Sequence, residues 1–205
     1  MQRWNGWGDE NIYLELPTRA LRMLHDLIGK GQGRPDYPRE KFIKRMPESR
    51  LNSHPWISFD PKLRLDHAHG QSLPDWIGLR RGNLRRFPDG VALPTTAAEI
   101  QELLKFAIDN NAVVIPYGGG TSVVGHLEVP ETSRPVLSVS LERFNRLTGL
   151  DSDSRLATFE AGIRGPQLEQ QLNSRGFTLG HYPQSFDYSS LGGWVVTRSS
   201  GQQSK

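Results

Sequence analysis

The chain has 205 residues, 25 Lys and Arg against 22 Asp and Glu for a formal net charge of +3, and no cysteine. That length allows a real hydrophobic core, so small a charge excess gives no argument for nucleic acid, and the missing thiols exclude disulfides, cysteine catalysis and thiolate-held metals. No apolar run approaches the roughly 20 residues that span a bilayer, and the N-terminus has no apolar signal core, so a cytoplasmic location is expected.

Residues 1–83 read as an N-terminal extension, helical in part and otherwise irregular, that packs on another surface and is not a domain of its own. It opens on Trp4 and Trp7 framing Asn5-Gly6, two indoles suited to docking. Thr18 looks like the N-cap of a helix through Leu21, Leu24 and Ile28, stopped by Gly29 and Gly31. Pro35, Pro38, Pro47, Pro55 and Pro61 then break the chain into short pieces, with one small helix around Glu40 to Arg45. His67 and His69 would share one face of a strand, yet no third ligand follows at a usual spacing, so a surface or hydrogen-bonded pair is favoured and no metal is expected. Arg80, Arg81, Arg85 and Arg86 read as a solvated surface.

Residues 84–205 read as an α+β domain. After Pro88-Asp89-Gly90 comes a short strand, Val91 to Pro94, and Thr96 with Glu99 makes a capping box. Ile100, Leu103, Leu104 and Ala107 recur at helical spacing and define one apolar face, closed by Asn110-Asn111. The strand Val113 to Ile115 runs into Pro116, Tyr117, Gly118, Gly119, Gly120, Thr121 and Ser122. Consecutive glycines leave the backbone free to turn its N–H groups onto phosphate oxygens, and the two hydroxyls add donors. No Walker lysine follows. Val123 stands where the dinucleotide fingerprint of the doubly wound fold needs its last Gly or Ala. The bland alternative is a tight turn between strands.

Further on, Pro135 to Ser140 reads as a strand, Leu147 to Gly149 leads to a turn at Asp151 to Ser154, and Leu156 to Ala161 reads as another strand. Gly165-Pro166 opens a helix that buries Leu168 and Leu172 and ends at Gly176. The last stretch, His181 to Gly201, sets Gly192-Gly193 among the hydroxyls of Ser189, Ser190, Thr197, Ser199 and Ser200, a second loop suited to close over the same ligand. Leu191 to Thr197 is expected to be β. His126 and His181 read as ordinary loop histidines, not as covalent attachment points.

These residues resemble the flavoproteins of the vanillyl-alcohol oxidase or PCMH type and, within them, the alkyldihydroxyacetonephosphate synthases. The flavin loop of that family, Pro-x-Gly-Gly-Gly-Thr-Ser, is matched by Pro116 to Ser122. Its second signature is matched by Pro183, Gln184, Ser185, Phe186, Asp187, Tyr188, Ser189, Gly192, Gly193, Trp194 and Thr197-Arg198. Arg3 to Gly8, His67 to Gly70 and Leu79-Arg80 resemble the segments that precede the flavin domain in the synthase branch.

The resemblance implies a PCMH-type domain that holds FAD, with Pro116 to Ser122 at the pyrophosphate and Pro183 to Ser189, Gly192, Gly193, Val196, Thr197, Arg198 and Ser199 lining the cofactor. It implies, for the whole enzyme, exchange of the acyl group of an acyl-dihydroxyacetone phosphate for a fatty alcohol. A homodimer, a peripheral membrane contact and, in eukaryotic relatives, a peroxisomal location go with it. An FAD-linked oxidase or dehydrogenase of a hydroxy acid or alcohol, and a non-catalytic nucleotide-binding module, are the alternatives. The matched motifs stop at Lys205, so the chain is expected to be an N-terminal part, with the rest of the flavin domain, the cap and the catalytic groups outside it. No catalytic residue is assigned.

Overall fold

The computed structural model describes residues 3–204. In chain order the elements are α1 (Thr18–Ile28), α2 (Arg39–Lys44), β1 (Ile57–Ser58), α3 (Pro61–Asp66), α4 (Leu73–Arg81), β2 (Gly90–Ala92), α5 (Ala97–Asp109), β3 (Val113–Tyr117), β4 (Val136–Ser140), β5 (Leu147–Asp151), β6 (Leu156–Phe159), α6 (Gly165–Asn173) and α7 (Leu191–Thr197). Mixed helices and sheets are what the sequence pattern predicts.

The larger sheet runs β1-β2-β4-β3, with β2 and β3 both parallel to β4 and β1 antiparallel to β2. Every residue of β2 and β4 is buried, the pattern of parallel strands covered on both faces. On one side lie Leu103 and Ala107 of α5 with Leu137, Val139, Ala92 and Ile57; on the other, Ile115 and Val136 pack on Leu127 and Val129. The Thr96 hydroxyl accepts from Glu99 N at 3.2 Å. The return arm of the capping box lands one residue early, where Thr95 N donates to the Glu99 carboxylate at 2.6 Å. Because the crossover through α5 carries the chain from β2 to β3 over β4, the glycine loop emerges at the C-terminal end of an edge strand of this sheet.

A second lobe is built from the β5-β6 hairpin, α6 and α7 around Ile163, Leu168, Leu172 and Trp194. The expected strand from Leu191 is the helix α7. Ser190 decides the matter locally, its hydroxyl accepting from Gly193 N at 3.3 Å as an N-cap. Tertiary contact does the rest: Leu191 N and Gly192 N donate to Ile163 O and Ala161 O at 2.9 and 2.7 Å, and these outweigh the β preference of Val195 and Val196.

The extension packs Phe42, Leu65, Ala68 and Leu79 into a small core with Phe87 of the following segment, and Trp4 and Tyr37 lie at its margin. It also gives β1 to the main sheet. The helix at Thr18 forms at the expected place, although Pro17 occupies the cap position without a side-chain bond and Thr18 is its first residue. His67 and His69 are not on a strand, since His67 caps α3. Nor are they on the surface. Both are buried, with Nδ1 hydrogen-bonded to the Leu63 and Gly70 carbonyls at 2.9 and 2.8 Å.

Candidate cofactor site

The glycine loop leaves β3 after Tyr117, and its backbone donors are unspent. Among the described residues, the N–H groups of Gly118, Gly119, Gly120 and Thr121 donate to no protein acceptor. Buried or half-buried N–H groups are almost always paired, so a run of unspent donors in one loop is a cradle for an anion with several oxygens.

Packing also explains why these positions are glycine. A Cβ on Gly118 would strike the Ser190 hydroxyl, one on Gly119 the Tyr188 carbonyl oxygen, and one on Gly120, where φ is 69°, the Tyr117 hydroxyl. The space that the sequence reserves for a ligand's approach is thus occupied, on the Cβ side, by the protein itself. The consequence is close contact between the loop and residues 188–190, which joins the two glycine-containing segments into one site.

The second segment folds back on itself. His181 Nε2 bonds the Ser199 carbonyl at 2.9 Å, and Gly201 lies against the Tyr182 carbonyl, so 196–201 returns over 181–183. Several of its side chains are engaged internally. The Ser189 hydroxyl donates to Ser185 O at 2.8 Å and accepts from Trp194 Nε1 at 2.6 Å. The Phe186 ring stacks on Trp194 and packs against Gly165. Ser190 caps α7, whose first turn contains Gly192 and Gly193, so that glycine pair is helical and not a loop. Pro183 is buried, Pro116, Gln184, Asp187, Val196, Thr197 and Arg198 are exposed, and Thr121, Ser122, Ser185, Tyr188 and Ser199 are half-buried.

Beneath the loop lies a buried polar cluster from the extension. The Tyr117 hydroxyl donates to Asp66 O at 3.0 Å, and its ring centroid is 4.1 Å from that of His67. Burial pushes the Tyr117 phenol up, so it keeps its proton and remains a donor. Burial also pushes His67 and His69 down, which keeps both rings neutral, and neither Nε2 has a partner. Asp66 is raised by burial despite the Arg39 guanidinium 2.6 Å away. No group of three or more metal-ligating side chains occurs among the described residues. Trp7 reaches the same region, edge-on to Tyr188 at 5.6 Å, while Trp4 packs on Phe42.

A family model described as the FAD binding domain matches residues 88–205. The chain belongs to that FAD-binding family. Its cofactor is FAD, and the unspent N–H groups at Gly118 to Thr121 fit the pyrophosphate of such a dinucleotide. Among curated proteins, it is 34% identical to alkyldihydroxyacetonephosphate synthase of Trypanosoma brucei brucei, over 98% of this chain and 38% of that protein. It is 32% identical to the synthase of Dictyostelium discoideum, over 98% of this chain and 39% of that protein. A solved structure of alkyldihydroxyacetonephosphate synthase superposes with a TM-score of 0.81 at 30% identity, covering 99% of this chain and 43% of that one. The chain therefore spans well under half the length of these relatives.

Within this FAD-binding chain the cluster of Asp66, His67, His69 and Gln71 went unread as a support for the loop, because no periodicity or spacing links residues so far apart in sequence. The only signal was the His67-Ala68-His69-Gly70 resemblance. Asp89, given no role in the sequence reading, is a buried carboxylate that accepts from Arg50 N, Nε and Nη2 and from Val136 N at 3.0, 2.9, 2.7 and 2.7 Å. Nothing in a Pro-Asp-Gly triplet announces that.

Proposed function

We propose that residues Pro116 to Ser122 hold the FAD pyrophosphate and that Pro183 to Ser189, Gly192, Gly193 and Val196 to Ser199 form the wall along the rest of the cofactor. The observation that carries this is the run of unspent backbone donors from Gly118 to Thr121, held against Tyr188 to Ser190. Phosphate oxygens supply several acceptors at once, and backbone donors fixed in place lose little entropy on binding them. The wall acts mainly through main chain and packing, since Phe186 and Ser189 are committed to the lobe's interior. The residues at 84–205 are the FAD-binding unit, and 1–83 is the extension that docks on it.

For the whole protein we infer an alkyldihydroxyacetonephosphate synthase activity, in which a fatty alcohol displaces the acyl group of acyl-dihydroxyacetone phosphate to give the ether and a free fatty acid. The resemblance of the Arg3 to Gly8 and His67 to Gly70 segments, and the similarity to synthases over nearly the whole chain, support this choice. FAD, when bound, supplies the reactive ring; the residues of this chain bind and orient it.

The test has two arms. Titrating the 205-residue chain with FAD, followed by flavin fluorescence, should give saturable binding that ADP weakens and riboflavin does not, because ADP carries the pyrophosphate and riboflavin lacks it. Riboflavin competing as well as ADP would overturn the pyrophosphate assignment. For the activity, the whole protein is assayed for transfer of labelled fatty alcohol into the ether product; oxidation of a hydroxy acid without transfer would overturn the synthase reading.

A further inference from the structure

We propose that the turn from Asp66 to Gln71 in the extension, together with Tyr117, positions the glycine loop, gripping it at both ends so that the N–H groups between are arranged before any cofactor arrives. This rests on the reading of that loop as the pyrophosphate site. At the loop's start, Tyr117 Oη donates to Asp66 O at 3.0 Å and its ring lies on His67. At its end, Gln71 N donates to Ser122 O at 2.6 Å, and Gly70 is pressed so close that a Cβ there would be 2.5 Å from the same oxygen. Gly120 in turn rests on the Tyr117 hydroxyl. The unspent donors lie between these two grips.

The turn is rigid enough to act as a template. His67 and His69 bond the Leu63 and Gly70 carbonyls, Trp76 Nε1 donates to Gln71 Oε1 at 2.8 Å, and Asp66 pairs with Arg39. Ser72 and Asp75 then form a full capping box that starts α4 directly after it. A run of glycines loses more conformational freedom on ordering than any other sequence. Fixing its ends from a pre-built turn removes much of that cost from the binding step. Tyr117 is therefore a positioning residue. Its hydroxyl and ring are both committed to the extension.

Tyr117→Phe removes one hydrogen bond and keeps the ring on His67; Gly70→Ala pushes the turn off Ser122. Backbone amide order parameters for Gly118 to Thr121, measured by NMR on the 205-residue chain without cofactor, should fall from a rigid value of about 0.85 to below about 0.6 in both variants. The FAD dissociation constant should rise roughly 5- to 10-fold in Tyr117→Phe, the equivalent of one hydrogen bond. Thr96→Ala, which removes the cap of α5 and touches neither grip, serves as the control for mere destabilisation and should change neither quantity. Unchanged loop order in both variants, or an equal change in Thr96→Ala, would overturn the proposal. The order parameters are read without FAD, so they decide it even if the wild-type chain takes up no flavin, a result that would count against the pyrophosphate reading alone.

Discussion

At Gly119 a side chain has nowhere to go, because the Tyr188 carbonyl and the Ser189 backbone already fill the position of its Cβ. Gly119→Val should therefore do more than block a ligand. It should drive the loop away from residues 188–190, abolish FAD uptake and lower stability by about 1–3 kcal/mol, the usual range for overpacking. Flavin content and a melting curve measure the two effects, and retention of FAD at a wild-type melting temperature would contradict this account. Asp89 is the other residue whose loss should be felt widely. Burial alone would raise its carboxyl, but hydrogen bonds from Arg50 and Val136 outweigh that and hold it below the ordinary 3.8. A group depressed in this way stabilises the fold above pH 3.8 and loses that contribution as pH falls further. Asp89→Ala should cost about 2–3 kcal/mol at pH 7, by the scale of charge-assisted bonds, and much less near pH 2; urea unfolding at the two pH values makes the comparison.

Among the elements, α7 shows how a lobe is stapled. Trp194 is 4% exposed, stacks near Phe186, donates to Ser189 and packs against Ile163, Leu168 and Leu172. Trp194→Ala should cost about 3–5 kcal/mol, as large aromatic truncations in a core do, and should unfold the second lobe first. Hydrogen exchange at α6 amides, compared with β4 amides, would reveal that order, and uniform loss across both would show that the lobes unfold together. The helix α5 is held differently, by a cap at Thr96 worth about 1 kcal/mol and by Leu103 and Ala107 on the sheet. Its Leu104 was expected on the buried face and is 47% exposed, because only a narrow stripe of the helix meets the sheet.

For the molecule as a whole, the buried imidazoles set a pH dependence. His67 and His69 face Asp66, Asp75, Arg39, Tyr117 and the Leu63 and Gly70 carbonyls, and burial holds both below the ordinary 6.5. The unfolded chain binds protons there that the folded chain refuses, so stability is whole above pH 6.5 and falls as pH drops below it. Asp66, raised from 3.8, acts in the opposite sense nearer that value, which leaves the loss clearest just under pH 6.5. Melting temperature against pH should show this decline in the wild type and a flatter curve when both histidines are replaced by Asn. Along the outside, α1 carries Leu21, Met23, Leu27 and Ile28 exposed, and none of its residues is buried among the described ones. No helix is long and apolar enough to cross a membrane among the described residues.

Local chemistry determined much of this protein from the sequence alone. The 3.6-residue spacing of Leu103 and Ala107, the cap at Thr96, the Gly165-Pro166 helix start and the glycine loop after Val113 to Ile115 each depend on neighbours within a few residues, and each is where the sequence predicts it. The cofactor family was legible for the same reason, since its motifs are contiguous. What only the tertiary structure decided are the contacts between segments distant in sequence. Leu191 to Thr197 carries β-branched residues but is helical because Ile163 and Ala161 offer their carbonyls. His67 and His69, read as a surface or hydrogen-bonded pair, are hydrogen-bonded and buried, and Tyr117, about fifty residues later, lies against the His67 ring. The glycines at 118–120 are required less by a ligand than by Tyr117, Tyr188 and Ser190, whose positions no pattern in the chain reveals before it folds.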